Sequence, residues 1–284
     1  MKIRTVGVIG CGFMGAGIIQ VCAQAGYDVI TCEVDEDRLQ KGMGAIEHHL
    51  GRSVEKNRIT RQEKEAIQAR IRGTLELDQL KDCDIIIEVI PEKIELKQEL
   101  FRVLDSLCSE NTILASNTST IRIAEIASVT DRPEKVIGTH FLSPVPPSKL
   151  MEIVRPSTTS DETLQIVRAF IESLGKKAIV TRDTPGFIFN HLLGALNRAA
   201  LQLLEKGIAT AEDIDKSMTM GLGHPIGPLA LMDFNGIDVM YLTQQAIYEQ
   251  TKDPYDAPSP LIKKMYDEGR LGRKSGSGFF EYTS

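Results

Sequence analysis

No stretch of the 284-residue chain is apolar for long enough to span a bilayer, which takes about 20 residues. Positive charge is not in excess either: 33 Lys and Arg stand against 39 Asp and Glu, for a formal net charge of -6. No basic stripe is therefore available to neutralise the phosphates of a nucleic acid, although local basic residues can still meet a small anion. The five cysteines, Cys11, Cys22, Cys32, Cys83 and Cys108, are odd in number, lack CxxC spacing and mostly sit in apolar runs. They read as reduced core thiols, and no metal site is expected. The N-terminus, MKIRTVGVIG, has neither an apolar signal core nor an Arg- and Ser-rich transit pattern, so the expected compartment is the cytosol. Internal repeats and low-complexity segments are also missing.

What the chain has is alternation. Short apolar runs, TVGVIG, YDVITCEV, DIIIEVI, TILASN, KVIGTHF, KLMEIV and KAIV, are separated by helical periods up to about residue 183. That pattern predicts a mostly parallel sheet flanked by helices. Residues 36–70 are too long and too polar for one ordinary crossover, and they predict two helices projecting from the sheet, broken near residues 57–60. After Thr184-Pro185-Gly186 the strands stop and apolar residues recur at helical spacing, as in GFIFNHLLGALNRAALQLLEKG. The expected organisation is an α/β domain over residues 1–184 and an all-helical domain over residues 185–284. The first helix of the second domain is apolar on more than one face, which implies burial at a domain or subunit interface. PVPP and DPYDAPSP read as ordered loops.

The stretch GVIGCGFMGAGI carries Gly10, Gly12 and Gly15 as GxGxxG at the junction of a strand and a helix that begins near Met14. Gly10 allows a tight turn, Gly12 lets backbone approach a pyrophosphate, and Gly15 lets the helix pack on the strand with its amides toward the anion. Phe13 and Met14 join this cofactor loop. The next strand ends in Glu33, a carboxylate for the adenosine ribose hydroxyls. No Arg follows it to welcome a 2′-phosphate, so the cofactor expected is NAD rather than NADP.

Asn117-Thr118-Ser119-Thr120 follows TILAS, and His140 ends KVIGTH. In an open α/β sheet ligands sit beyond the carboxyl ends of strands, where both segments arrive. Glu152, flanked by Met151 and Ile153 in a strand-like run, needs a partner if buried, and His140 is the candidate. A histidine held by a carboxylate is a general base for alcohol oxidation, and a purely structural ion pair has the same signature. Asn190 is either a polar residue on a helix face or a donor reaching into the site.

These segments, with DIIIEVIPEKIELK, GTHFLSPVPPSKLMEIV, DTPGFIFN, GHPIGPLALMD and LGRKSGSGFFEY in order, resemble the L-3-hydroxyacyl-CoA dehydrogenases, especially the short bacterial 3-hydroxybutyryl-CoA branch. The resemblance covers essentially the whole chain. It implies a Rossmann-type N-terminal domain, a helical C-terminal domain that forms a homodimer, and NAD-dependent interconversion of an L-3-hydroxyacyl-CoA and the 3-ketoacyl-CoA. It makes His140 the base, Glu152 its orienting partner, and Ser119 and Asn190 groups that hold the reacting oxygen or fix the substrate. Glu92, Lys97, Ser119, Ser143 and Lys274 match family positions near the cofactor. A lysine at the position of Lys56 matches a CoA contact. Arg52, four residues earlier on the same helix face, and His49 nearby are then further cations for the CoA phosphates. Departures are Ser143 where the family usually has Asn, Glu33 for a common Asp, and His191 where Arg often follows Asn190. Two other readings remain: a related dehydrogenase of a non-CoA 3-hydroxy acid, as in lambda-crystallin-like proteins, and a non-catalytic NAD(H)-binding protein.

Overall fold

The computed structural model describes residues 2–282. The chain divides into two compact units between Thr184 and Pro185.

The first unit runs β1 (Thr5–Ile9), α1 (Phe13–Gln24), β2 (Asp28–Cys32), α2 (Glu36–Glu55), α3 (Arg61–Gln68), β3 (Ile71–Thr74), β4 (Ile85–Glu88), α4 (Ile94–Leu107), β5 (Ile113–Ser116), α5 (Ile123–Ala127), β6 (Val136–Phe141), β7 (Leu150–Arg155), α6 (Asp161–Ser173) and β8 (Lys177–Arg182). The eight strands form one sheet in the order β3-β2-β1-β4-β5-β6-β7-β8. Every neighbouring pair is parallel except β6 with β7. The order reverses between β1 and β4, which opens a ligand crevice beyond the carboxyl ends of those two strands. Central strands such as IIIE and ILAS are buried throughout, as a sheet covered on both faces requires. Val6 and Val8 of β1, with Ile85 and Ile87 of β4, share a core with Ile18 and Ile19 of α1.

The long polar stretch forms the two helices that its sequence predicts. Asp35 caps α2 by accepting the Arg38 amide, and Leu39, Gly42, Ile46 and Leu50 make its buried stripe. Burying the three large side chains contributes at most about 1.5–3 kcal/mol each. Gly42 allows the closest approach, since a Cβ there would lie 2.2 Å from the Cys11 carbonyl oxygen. Asn57, at φ 53°, ends the first helix. Thr60 and Glu63 then start α3 with reciprocal capping bonds. The strand that follows, β3, has no counterpart in the apolar runs. It is a four-residue edge strand with two exposed residues, too short and too polar to carry a periodic signal.

The second unit contains α7 (Phe189–Glu205), α8 (Ala211–Gly221), α9 (Pro228–Asn235), α10 (Ile237–Thr251) and α11 (Pro260–Asp267). Leu201, Ile214, Leu229, Met232, Ile237 and Ile262 are among its core residues. Two aspartates organise it. Asp215 accepts the Leu229 and Ala230 amides at 2.8 and 2.9 Å, capping α9. A Cβ on Gly227 would lie 2.2 Å from that carboxyl carbon. Asp233 accepts the Phe279 and Phe280 amides and the Tyr282 hydroxyl, each at 3.0 Å. The segments GHPIGPLALMD and LGRKSGSGFFEY thus have architectural roles. Helix α7 buries Asn197, Ala200 and Leu201, while Leu192 and Leu203 stay exposed. Among the described residues no helix is long and apolar enough to cross a membrane.

Candidate active site

The glycine loop after β1 has a steric reason for each glycine. Gly10 has φ 101°, and a Cβ there would lie 2.7 Å from the Val89 carbonyl oxygen. At Gly15 the added carbon would lie 1.9 Å from the Gly10 carbonyl oxygen. At Gly12, the N-cap of α1, it would meet nothing within 4 Å. Two glycines are thus demanded by packing. Gly12 instead keeps a space open in front of the first amides of α1, the arrangement a pyrophosphate requires. Phe13 is exposed beside this space, and Met14 packs partly against the core. Cys11 is no nucleophile, because burial pushes its thiol up to about 11.

Glu33, half-buried at the end of β2, turns its carboxylate toward the loop. One oxygen accepts the Cys11 amide at 2.6 Å and the other accepts the Val34 amide at 3.1 Å. The carboxylate therefore shapes the loop.

A second network lies beyond β4 and β5. One oxygen of Glu92 accepts the Thr118 hydroxyl at 2.5 Å, the Ser119 and Thr120 amides at 3.0 Å and the Thr120 hydroxyl at 2.9 Å. Burial pushes the Glu92 carboxyl up, but the Lys97 ammonium and these threonine donors outweigh it, leaving the group below its ordinary value. Lys97 is 1% exposed, with its ammonium 2.5 Å from Glu88 and 3.3 Å from Glu92. Glu88 also accepts the Ser116 hydroxyl at 2.7 Å and the Ile90 amide at 2.8 Å. Lys97 thus sits inside the unit as the link between two carboxylates, holding the turn after β4 and the Thr118–Thr120 turn together.

His140 and Glu152 face each other on the antiparallel pair β6 and β7, in direct register. The imidazole Nδ1 is 2.7 Å from the Glu152 carboxylate, and the two residues are 4% and 0% exposed. A carboxylate accepts, so Nδ1 is the donor in this bond. The Phe141 amide donates to the Asn117 side chain at 2.9 Å, tying β6 to the turn that contains Ser119. Ser143 begins the exposed turn after β6. That turn is anchored by Lys176, whose ammonium donates to the Val145 and Ser148 carbonyls at 2.8 and 2.6 Å. Burial lowers the pKa of this lysine.

The remaining sequence candidates are carried by other elements. His49, Arg52 and Lys56 are exposed, Arg52 in the last turn of α2 and Lys56 at its C-cap. In the second unit Asn190 is half-buried in the first turn of α7, His191 is exposed, and Lys274 pairs with Asp238 at 2.5 Å. The sequence reading passed over Glu88, Lys176 and Asp183, the last of which accepts the Ile123 and Ala124 amides at the start of α5. A charged residue beside an apolar run was the available signal for each. Among the described residues no cluster of three or more His, Cys, Asp or Glu side chains is arranged to hold a metal ion.

The family model for the 3-hydroxyacyl-CoA dehydrogenase NAD binding domain matches residues 5–184, and that for the C-terminal domain of the same family matches residues 186–282. A 3-hydroxybutyryl-CoA dehydrogenase of Bradyrhizobium diazoefficiens is 41% identical over 99% of this chain and 96% of its own. One from Clostridioides difficile is 38% identical, covering 97% of this chain and 98% of its own. The crystal structure of (S)-3-hydroxybutyryl-CoA dehydrogenase from Ralstonia eutropha, 40% identical, superposes with a TM-score of 0.94 over all of both chains.

Proposed function

The chain belongs to the 3-hydroxyacyl-CoA dehydrogenase family, and from that premise we propose that it interconverts a short-chain L-3-hydroxyacyl-CoA, 3-hydroxybutyryl-CoA above all, with the corresponding 3-ketoacyl-CoA. Its first unit is an NAD-binding domain, and the open space at Gly12 framed by Gly10, Gly15 and Glu33 fits that cofactor. The observation that carries the reading is the His140–Glu152 pair at 2.7 Å in this unit.

When bound, NAD supplies the acceptor for the hydride that leaves the carbinol carbon. His140 takes the hydroxyl proton through Nε2 and returns it in the reverse direction. Glu152 fixes the ring tautomer and offsets the imidazolium charge that develops. Glu92, braced by Lys97, holds the Thr118–Thr120 turn, so that Ser119 is presented to the substrate oxygen or the cofactor. By family resemblance Asn190 is proposed as a further ligand of the reacting oxygen, and Ser143 and Lys274 as cofactor ligands. Arg52 and Lys56, with His49, supply exposed cations for the CoA phosphates.

The short acyl group rests on the relatives named 3-hydroxybutyryl-CoA dehydrogenases. Residues 1–184 serve the cofactor and residues 185–284 serve substrate binding and homodimer formation, the latter supported by exposed Leu192 and Leu203 on α7. Five free, buried cysteines support a reducing compartment, the cytosol. The test is NADH oxidation by the purified protein with acetoacetyl-CoA, free acetoacetate and a longer 3-ketoacyl-CoA. Acetoacetyl-CoA is expected to be the best of the three. Preference for the free acid would move the assignment to a non-CoA dehydrogenase, and NADH binding without turnover of any of them to a non-catalytic protein.

A further inference from the structure

Lys176 is a charge without a countercharge. It is 5% exposed, and its ammonium meets the carbonyl oxygens of Val145 and Ser148, with no ion pair among the described residues. An ammonium in such surroundings is costly compared with a hydrocarbon of the same length, which fills the same space without desolvation. What a hydrocarbon cannot do is hold two carbonyls on one atom.

Those carbonyls belong to residues 143–148, the turn that leads from the strand of His140 to the strand of Glu152. The same turn is also wedged against helix α1. A Cβ on Gly17 of α1 would lie 2.8 Å from Val145 Cβ and 3.4 Å from Pro146 Cδ, so Val145 packs directly on the helix backbone. Helix α1 is the one whose N-terminus forms the glycine loop. Lys176, immediately before β8, and Gly17 of α1 therefore both hold this turn.

We propose that Lys176 is a positioning residue for the cofactor: its grip on Val145 and Ser148 holds Ser143 in place relative to the glycine loop and His140. The proposal rests on the reading of the protein as an NAD-dependent dehydrogenase with Ser143 at the cofactor. Lys176 touches neither substrate nor cofactor and acts through the turn.

The test compares Lys176→Met, Gly17→Ala and Gly17→Ala/Val145→Gly with the wild type in the full-length protein. NADH binding is followed by its fluorescence. Turnover is followed with acetoacetyl-CoA, using NADH and its deuterated form. Loss of two bonds from a charged donor predicts about a tenfold rise in the NADH dissociation constant and KM for Lys176→Met, with the acyl-CoA KM changed less than about twofold. The isotope effect rises, because a misplaced cofactor makes hydride transfer more rate-limiting. Gly17→Ala pushes on Val145 of the same turn and shifts NADH affinity in the same direction, and Val145→Gly in that background, which removes the Cβ that the new methyl would meet at 2.8 Å, restores it. Folded Lys176→Met with wild-type NADH affinity and isotope effect overturns the proposal. Should that variant fail to fold, the same result in Gly17→Ala overturns it. A wild type that binds NADH without reducing acetoacetyl-CoA counts against the functional reading alone, since the binding comparison is still read.

Discussion

Glu152→Gln removes one charge from the His140–Glu152 pair and almost nothing from its volume. The carboxylate lies 2.7 Å from Nδ1 of His140 and is fully buried, so water cannot stand in for it. When His140 takes a proton, opposite unit charges about 4 Å apart interact by about 4 kcal/mol at an effective dielectric constant of about 20. A transition state with half the charge developed keeps about 2 kcal/mol of this, or about thirtyfold in rate. A second effect adds to it. Glutamine presents an amide NH2 as well as a carbonyl, and with the NH2 toward Nδ1 the ring proton moves to Nε2, where a lone pair is needed. The two together predict a kcat lowered by about 30- to 1000-fold.

The assay is NADH oxidation with saturating acetoacetyl-CoA, beside NADH binding by fluorescence and a thermal melt. NADH affinity is expected to stay within about twofold of wild type, because the pair lies outside the glycine loop. Glu152→Ala is the poorer probe, since it also opens a cavity in the sheet. A folded Glu152→Gln variant with kcat within about threefold of wild type refutes the orienting role and leaves the pair a structural one.

Four further outcomes test the surroundings. Gly15→Ala forces a carbon to 1.9 Å from the Gly10 carbonyl oxygen; the overpacking is expected to cost about 1–3 kcal/mol in a denaturant titration and to weaken NADH binding more than tenfold, and wild-type affinity would contradict the loop geometry. Glu33→Ala takes the acceptor from the Cys11 amide; it is expected to raise the NADH KM about tenfold and to narrow the gap to NADPH, and an unchanged cofactor ratio would dissociate Glu33 from the ribose. The Glu92 carboxyl is held below its ordinary value, so its stabilisation is complete above the ordinary carboxylate pKa and is lost as pH falls through the lowered one; Glu92→Gln is expected to flatten that acid limb in thermal melts, and parallel curves would deny it a share. Arg52→Ala/Lys56→Ala is expected to raise the acyl-CoA KM with little change in kcat and to weaken its dependence on salt, whereas identical salt responses would remove both cations from the site.

Legibility in the sequence followed the range of each interaction. The glycine loop was readable because a positive φ at Gly10 and the Gly10 carbonyl against Gly15 write a short local spacing of glycines, even though the Val89 carbonyl that also closes on Gly10 comes from after β4. The break between α2 and α3 was readable because Thr60 and Glu63 bond to each other. Glu152 was readable at longer range because a carboxylate between Met151 and Ile153 needs a partner, and β6 delivers His140 opposite it. Lys97 was legible only as a family position near the cofactor, since nothing in IELK reveals that the ammonium turns inward to Glu88. Lys176 and Asp183 were harder still. Their partners are backbone groups about 30 and 60 residues away, and a backbone amide or carbonyl leaves no residue type to read.

The same property explains why these charges are in the fold at all. The turns beyond β4, β5 and β6 make up much of the candidate site, and turns have no ladder to fix them. Glu88 with Lys97, Glu92 and Lys176 each replace that missing ladder with a charge bonded to turn backbone or to another such charge. A hydrophobic residue of equal volume can match or exceed the stability that a buried ion pair provides, but it accepts no amide and donates to no carbonyl. One member of the Glu88–Lys97 pair cannot be replaced alone without leaving a buried charge uncompensated, whereas at Lys176, whose bonds go to backbone carbonyls, an apolar isostere is expected to spare the melting behaviour more than the placement of the turn. Stability screens alone would pass such variants, and only cofactor affinity and hydride-transfer kinetics register the loss.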